Sequence, residues 1–267
     1  MAQRLTAFAV PLVALVALGG CASSALPAVF PAGSIADYQL GGAYPPPAGV
    51  TVVTRDSTEK PAEGLYNICY VNGFQTQPGV VWLDGLVLRD PAGERIVDPN
   101  WPDENIIDIS SAGNRADAAL QINRMTDACA TSGFDAVEFD NLDSYTRSDG
   151  ALTLDDAAAF AGLLVQHAHD RGLAAGQKNT GELETRGRDA IGFDFAVVEE
   201  CDQFEECASF TEVYSDAVID IEYTDELRRP FLEVCADAAT PASTILRDRD
   251  LTPPSSPDYV YEHCGPS

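Results

Sequence analysis

Gly133-Phe134-Asp135-Ala136-Val137-Glu138-Phe139-Asp140-Asn141-Leu142-Asp143-Ser144-Tyr145 is an alternating apolar run that passes directly into carboxylates and an amide. Period-two alternation marks a strand, and a strand that ends in polar groups is how a barrel builds a site at its C-terminal rim. The Gly-Phe-Asp opening returns 59 residues later in Gly192-Phe193-Asp194-Phe195-Ala196-Val197-Val198-Glu199-Glu200, and this apolar run also turns acidic. Asp140 and Glu199 stand at the same offset from their glycines. Two strands that each bring one acid to a common rim would supply the paired carboxylates of glycoside hydrolysis.

Outward from these two segments, short β-rich runs alternate with amphipathic stretches through residues 34–267. That pattern predicts an α/β fold, a single-domain (β/α)8 TIM barrel. The expected strands are 35–40, 50–54, 65–71, either 106–109 or 135–140, then 173–177, 193–198, 217–221 and 243–246. Helices are expected over 115–130, 154–171 and 225–236, with a turn near 183–190 and with Thr153 and Thr224 as N-caps. The Gly- and Pro-rich segment 74–101 is longer than an ordinary βα connection and would reach over the top face. Its Trp82 and Trp101 would either stack on sugar rings or pack the loop onto the barrel.

The first 21 residues carry Arg4, a short apolar run and Leu18-Gly19-Gly20-Cys21, the pattern of an export signal with a lipidation site at Cys21. Residues 22–33 read as a tether, so the protein is expected as a cell-surface or periplasmic lipoprotein held to the membrane by its lipid alone, or otherwise as a secreted one. Six cysteines remain after Cys21, and an even number in an exported chain points to disulfides. Cys201 and Cys207 flank a short acidic loop and form the first expected pair; Cys69 with Cys129 and Cys235 with Cys264 follow from neighbourhood. No spacing suggests zinc. The formal charge of −26 argues against nucleic acid as a partner. It would either draw in a cationic ligand or serve solubility or a high-salt habitat.

On strand 135–140, Glu138 and Asp140 share a face, which puts Asp140 at the mouth and Glu138 one layer lower as a buried, proton-holding support. Asn141, Asp143 and Tyr145 would then be rim and substrate contacts. The order of acids does not fit a calcium loop. Lys178 and Asn179 end the fifth strand, where a cation would hold nearby acids ionised. Glu222 and Tyr223 end the seventh, and Asp37 and Tyr38 belong to the first. His167, His169 and His263 carry no recognisable pattern.

Tyr38-Gln39-Leu40, Cys69-Tyr70-Val71-Asn72-Gly73, the 133–145 run, Lys178-Asn179, residues 193–201 and Ile221-Glu222-Tyr223 together resemble glycoside hydrolase family 114, the endo-α-1,4-polygalactosaminidases. The resemblance implies a (β/α)8 barrel that cuts an exopolysaccharide of α-1,4-linked, partly N-acetylated galactosamine from within, without cofactor or metal. It assigns the catalytic pair to Asp140 and Glu199; the expected roles are Asp140 as nucleophile and Glu199 as general acid/base in a retaining mechanism, and the polymer's free amines match the acidic surface. The family often carries Asn before its catalytic Glu, where this chain has Val198. A hydrolase of another amino-sugar or neutral glycan, or a non-catalytic polysaccharide-binding surface lipoprotein, would use the same surface.

Overall fold

The computed structural model describes residues 27–265, so the expected signal and Cys21 lie outside the described residues. Eight parallel strands run in sequence order: β1 (Ala36–Gln39), β2 (Val52–Asp56), β3 (Tyr66–Asn72), β4 (Ala136–Asp140), β5 (Ala174–Lys178), β6 (Phe195–Glu199), β7 (Val218–Tyr223) and β8 (Ser243–Arg247). A ninth, β9 (Tyr261–His263), pairs antiparallel with β8. The helices α1 (Ala112–Ser132), α2 (Leu154–Asp170), α3 (Cys207–Tyr214) and α4 (Phe231–Ala236) follow β3, β4, β6 and β7. The result is the expected TIM-type barrel, nearly closed, with an incomplete helical layer. The connections after β1 and β2 contain no helix, and they are short and rich in Gly and Pro, which disfavour one.

The repeated Gly-Phe-Asp opening has a physical basis. Gly133 and Gly192 take left-handed backbone with φ of 92° and 97°, which glycine adopts without strain. Phe134 and Phe193 are buried directly after them. Asp135 accepts the Asn67 N–H at 2.8 Å and Asp194 accepts the Ala175 N–H at 2.8 Å, each fastening its segment to the preceding strand. Strand direction and register are therefore set before the apolar runs begin.

Two apolar layers result from alternation. The barrel interior holds Val52, Ile68, Phe195, Val197, Ile219, Ile221 and Ile245, while Val71, Val137, Phe139 and Val198 point outward into the layer under α1, α2 and α3. Phe195 fills so much of the interior that a Cβ on Gly176 would lie 2.6 Å from its ring. Phe30, inside the expected tether, is buried and stacks on Phe195 at 4.7 Å, so this part of the segment is docked on the barrel. The gap between β8 and β1 is bridged by side chains. Fully buried Arg247 donates to Asp37 Oδ1 at 3.1 Å and to the Tyr38 carbonyl, and the Tyr261 hydroxyl donates to the Ala36 carbonyl at 2.9 Å.

Several boundaries differ from expectation. Residues 106–109 are not a barrel strand; they form antiparallel bridges within the β3–α1 loop, as Gln75 with Ile106 and Val87 with Ile107, and their isoleucines are buried there. The last expected helix is confined to Phe231–Ala236, because Pro230 starts it; Thr224 caps nothing. Thr153 does cap α2, in a reciprocal box with Asp156. All three expected disulfides are present: Cys69–Cys129, Cys201–Cys207 and Cys235–Cys264.

Candidate active site

Adjacent strands β4, β5 and β6 bring three side chains to one point at the mouth. Phe139 pairs with Gln177 and Lys178 with Val197, so Asp140, Lys178 and Glu199 are the last inward residues of their strands. The Lys178 Nζ lies 3.1 Å from Asp140 Oδ1, 3.1 Å from Glu199 Oε2 and 3.5 Å from Glu138 Oε1. A shared ammonium bounds the two acid oxygens at twice its contact distance, about 6.2 Å. The next residues, Asn141, Asn179 and Glu200, all have positive φ, which turns each chain sharply over the rim.

The remaining oxygens are held by neighbours. Tyr70 donates to Asp140 Oδ2 at 2.6 Å, and the Asn141 N–H donates to Oδ1 at 2.7 Å. Tyr223 donates to Glu199 Oε1 at 2.5 Å, and Asn179 Nδ2 to Oε2 at 3.3 Å. Asn179 Oδ1 in turn accepts the Glu199 N–H at 2.9 Å. Val198 points into the outer layer, so a residue there does not face the mouth, and Asn179 orients Glu199 instead.

Burial opposes the charge of Asp140, but the Lys178 charge, with hydrogen bonds from Tyr70, Asn141 and Lys178, outweighs it and holds this carboxyl below its ordinary range. Burial likewise disfavours the Lys178 ammonium; Asp140 and Glu199, with Tyr38 and Glu138, more than restore it. Glu138 is fully buried beneath them and accepts from Tyr38 at 2.7 Å. Burial pushes it up most, Lys178 and the Tyr38 hydrogen bond oppose, Asp140 and Glu199 reinforce, and its pKa reaches about 7. Burial also raises Tyr70 and Tyr223, keeping both phenols protonated as donors.

Above these groups opens a cleft of about 650 Å³. Of the expected substrate contacts, Tyr38, Asn141, Asp143, Lys178, Asn179 and Tyr223 line it. Asp37 does not: it faces the barrel seam, accepting from Gln39, Tyr44 and Arg247. Glu222 is buried on the outer face of β7, where it accepts the Asp202 N–H at 2.8 Å, and Tyr145 packs on the outer apolar layer. Trp101 is at the rim and 64% exposed, whereas Trp82 packs against the outer layer. Among the cleft residues the sequence reading passed over are Tyr70, Glu104, Arg147 and Arg249. Tyr70 was within reach, since it shares a face with Ile68 and Asn72 on a strand already recognised. A larger groove of about 800 Å³, between the β3–α1 loop and α1, has Asp117 as its one lining carboxylate and lacks the paired acids.

The model of glycoside hydrolase family GH114 matches residues 20–267. The chain belongs to this family. This GH114 chain is accordingly a glycoside hydrolase. Its fold is similar to that of Aspergillus fumigatus Ega3, crystallised with galactosamine, at a TM-score of 0.71 and 22% identity over 89% of this chain and 98% of that one. The glycoside hydrolase domain of Pseudomonas aeruginosa PelA aligns at a TM-score of 0.54 and 15% identity, over 86% and 98% respectively. No curated protein matches the GH114 chain.

Proposed function

We propose that the protein is an endo-acting hydrolase of α-1,4-linked, galactosamine-containing polysaccharide, with Asp140 as nucleophile and Glu199 as general acid/base in a retaining mechanism. The observation that carries the reading is the single ammonium of Lys178, 3.1 Å from an oxygen of each acid. The two oxygens that share this ammonium are at most about 6.2 Å apart, and such convergence supports the closer pairing of roughly 5–5.5 Å that retention uses. A depressed Asp140 stays anionic, as a nucleophile must. Glu199 is the more exposed of the two, 28% against 18%, which suits a group that meets both leaving group and water.

In this mechanism Asp140 attacks the anomeric carbon while Glu199 protonates the departing glycosidic oxygen. Glu199 then takes a proton from water, whose oxygen attacks the same carbon and releases Asp140. The charge of the cleft supports an amino-sugar polymer. Eight carboxylates line it (Asp56, Asp98, Glu104, Asp140, Asp143, Glu199, Glu200 and Asp250) against Arg147, Lys178 and Arg249. Ega3, which shares the fold, was crystallised with galactosamine. Three disulfides support an exported protein, with Cys21 as its lipid attachment point.

The test is incubation with an α-1,4-galactosamine polymer, following product length by mass spectrometry and the first-formed anomer by NMR. Mixed short oligomers with the α configuration are expected. An unshortened polymer overturns the function, monosaccharide alone overturns the endo mode, and a β product overturns retention.

A further inference from the structure

One guanidinium ties together the ends of β6, β7 and β8. Arg249 stands two residues past β8, exposed at the rim. Its Nη1 and Nη2 donate to Glu200 Oε2 and Oε1 at 3.1 and 2.7 Å, a forked pair on a buried carboxylate just past β6. Nε and Nη2 also reach Asp225 Oδ1, beyond β7, at 3.2 and 3.0 Å, but that acid is exposed and its pairing adds little. The third partner is aromatic. Arg249 Cζ lies over the buried Tyr223 ring, 4.1 Å from its centroid.

Both buried partners lead to Glu199. Glu200 follows it in sequence, takes a positive φ and donates its N–H to the Ile221 carbonyl at 2.9 Å, so a fixed Glu200 fixes the strand end that carries Glu199. The Tyr223 hydroxyl donates to Glu199 Oε1 at 2.5 Å and is the one donor to that oxygen among the described residues, since Asn179 and Lys178 serve Oε2. Asp140 is held independently. Its donors are Tyr70, the Asn141 N–H and Lys178, none of which bonds Arg249. Burial and the Glu199 charge lift the Tyr223 phenol, while the charges of Lys178 and Arg249 oppose them, so the cation over the ring strengthens the phenol as a donor.

We propose that Arg249 is a positioning residue for the acid/base carboxyl: clamped on Glu200, it holds the Tyr223 ring so that the phenol keeps Glu199 aimed at the glycosidic oxygen. The nucleophile does not depend on it. This rests on the roles proposed above for Glu199 and Asp140.

The test measures kcat and KM of the full chain with and without Arg249→Met on two substrates. One is the α-1,4-galactosamine polymer, whose leaving group needs a proton; the other is an α-linked galactosamine oligomer bearing dinitrophenolate, which departs as the anion. Arg249→Met should lower kcat/KM on the polymer about tenfold or more, through kcat with KM within about twofold, and leave kcat/KM on the dinitrophenyl oligomer within about twofold. With Tyr223→Phe already in place, the same substitution should cost the polymer reaction no more than about threefold. Equal losses on both substrates, as a loosened barrel would give, overturn the proposal. So do no loss on either, a loss carried by KM alone, or a loss just as large beside Tyr223→Phe. An unmutated protein that cuts neither substrate is a separate result, which overturns the hydrolytic reading and this proposal with it.

Discussion

Replacing Glu138 by Gln should stabilise the protein, and only at neutral to alkaline pH. Glu138 is fully buried; its Oε1 accepts from Tyr38 at 2.7 Å, and its Oε2 has no hydrogen-bond partner among the described residues. Its pKa rises from 4.5 to about 7 on folding, so the folded chain keeps a proton that the unfolded chain releases. The stability from that proton is complete below the unfolded value of 4.5 and is lost as pH rises through about 7. At about 1.36 kcal/mol per pH unit the interval amounts to about 3 kcal/mol. Gln resembles the protonated acid and keeps an acceptor for Tyr38. Urea unfolding, with disulfides intact, should give equal stabilities near about pH 4.5 and an advantage of about 3 kcal/mol for Glu138→Gln above about pH 8, or roughly 6–12 °C in Tm. Parallel stability curves across that range, or a variant weaker than the parent at high pH, would refute the reasoning.

Removing the Cys69–Cys129 bond, which spans 60 residues, should cost about 4 kcal/mol, and removing Cys201–Cys207, which spans 6, about 2 kcal/mol; urea unfolding of the two paired serine variants checks the order. Gly176→Ala forces a Cβ to 2.6 Å from the Phe195 ring, and the overpacking should lower stability by about 1–3 kcal/mol in the same assay. A loss below about 0.5 kcal/mol would mean that Phe195 and the Phe30 stacked on it yield more easily than a filled barrel interior allows.

The sequence carried the barrel and its two acids because their signals are local. A left-handed glycine, a buried Phe and an Asp that takes the preceding strand's N–H recur before β4 and β6, and alternation does the rest. The same parity argument could have separated Asp37 from Tyr38 and Glu222 from Tyr223, since neighbours on a strand cannot face one interior together. Only the tyrosines line the mouth. What stayed hidden depends on contacts between distant segments. Arg247 meets Asp37 across 210 residues, and β9 exists only by pairing with β8, a strip of three residues too short to show a period. The 106–109 run reads as a strand because its isoleucines are buried, yet they are buried within the loop over the mouth. Glu104 and Arg249 reach the cleft from such loops, where no period announces them.

The most direct test of the account is the rate of cleavage of an α-1,4-galactosamine polymer by the parent protein, Asp140→Asn and Glu199→Gln, each checked for an unchanged fold by circular dichroism. Two converging acids with separate roles predict that either substitution alone lowers the rate by at least about a hundredfold. Cleavage at the parent rate by either variant would contradict the pairing of Asp140 with Glu199.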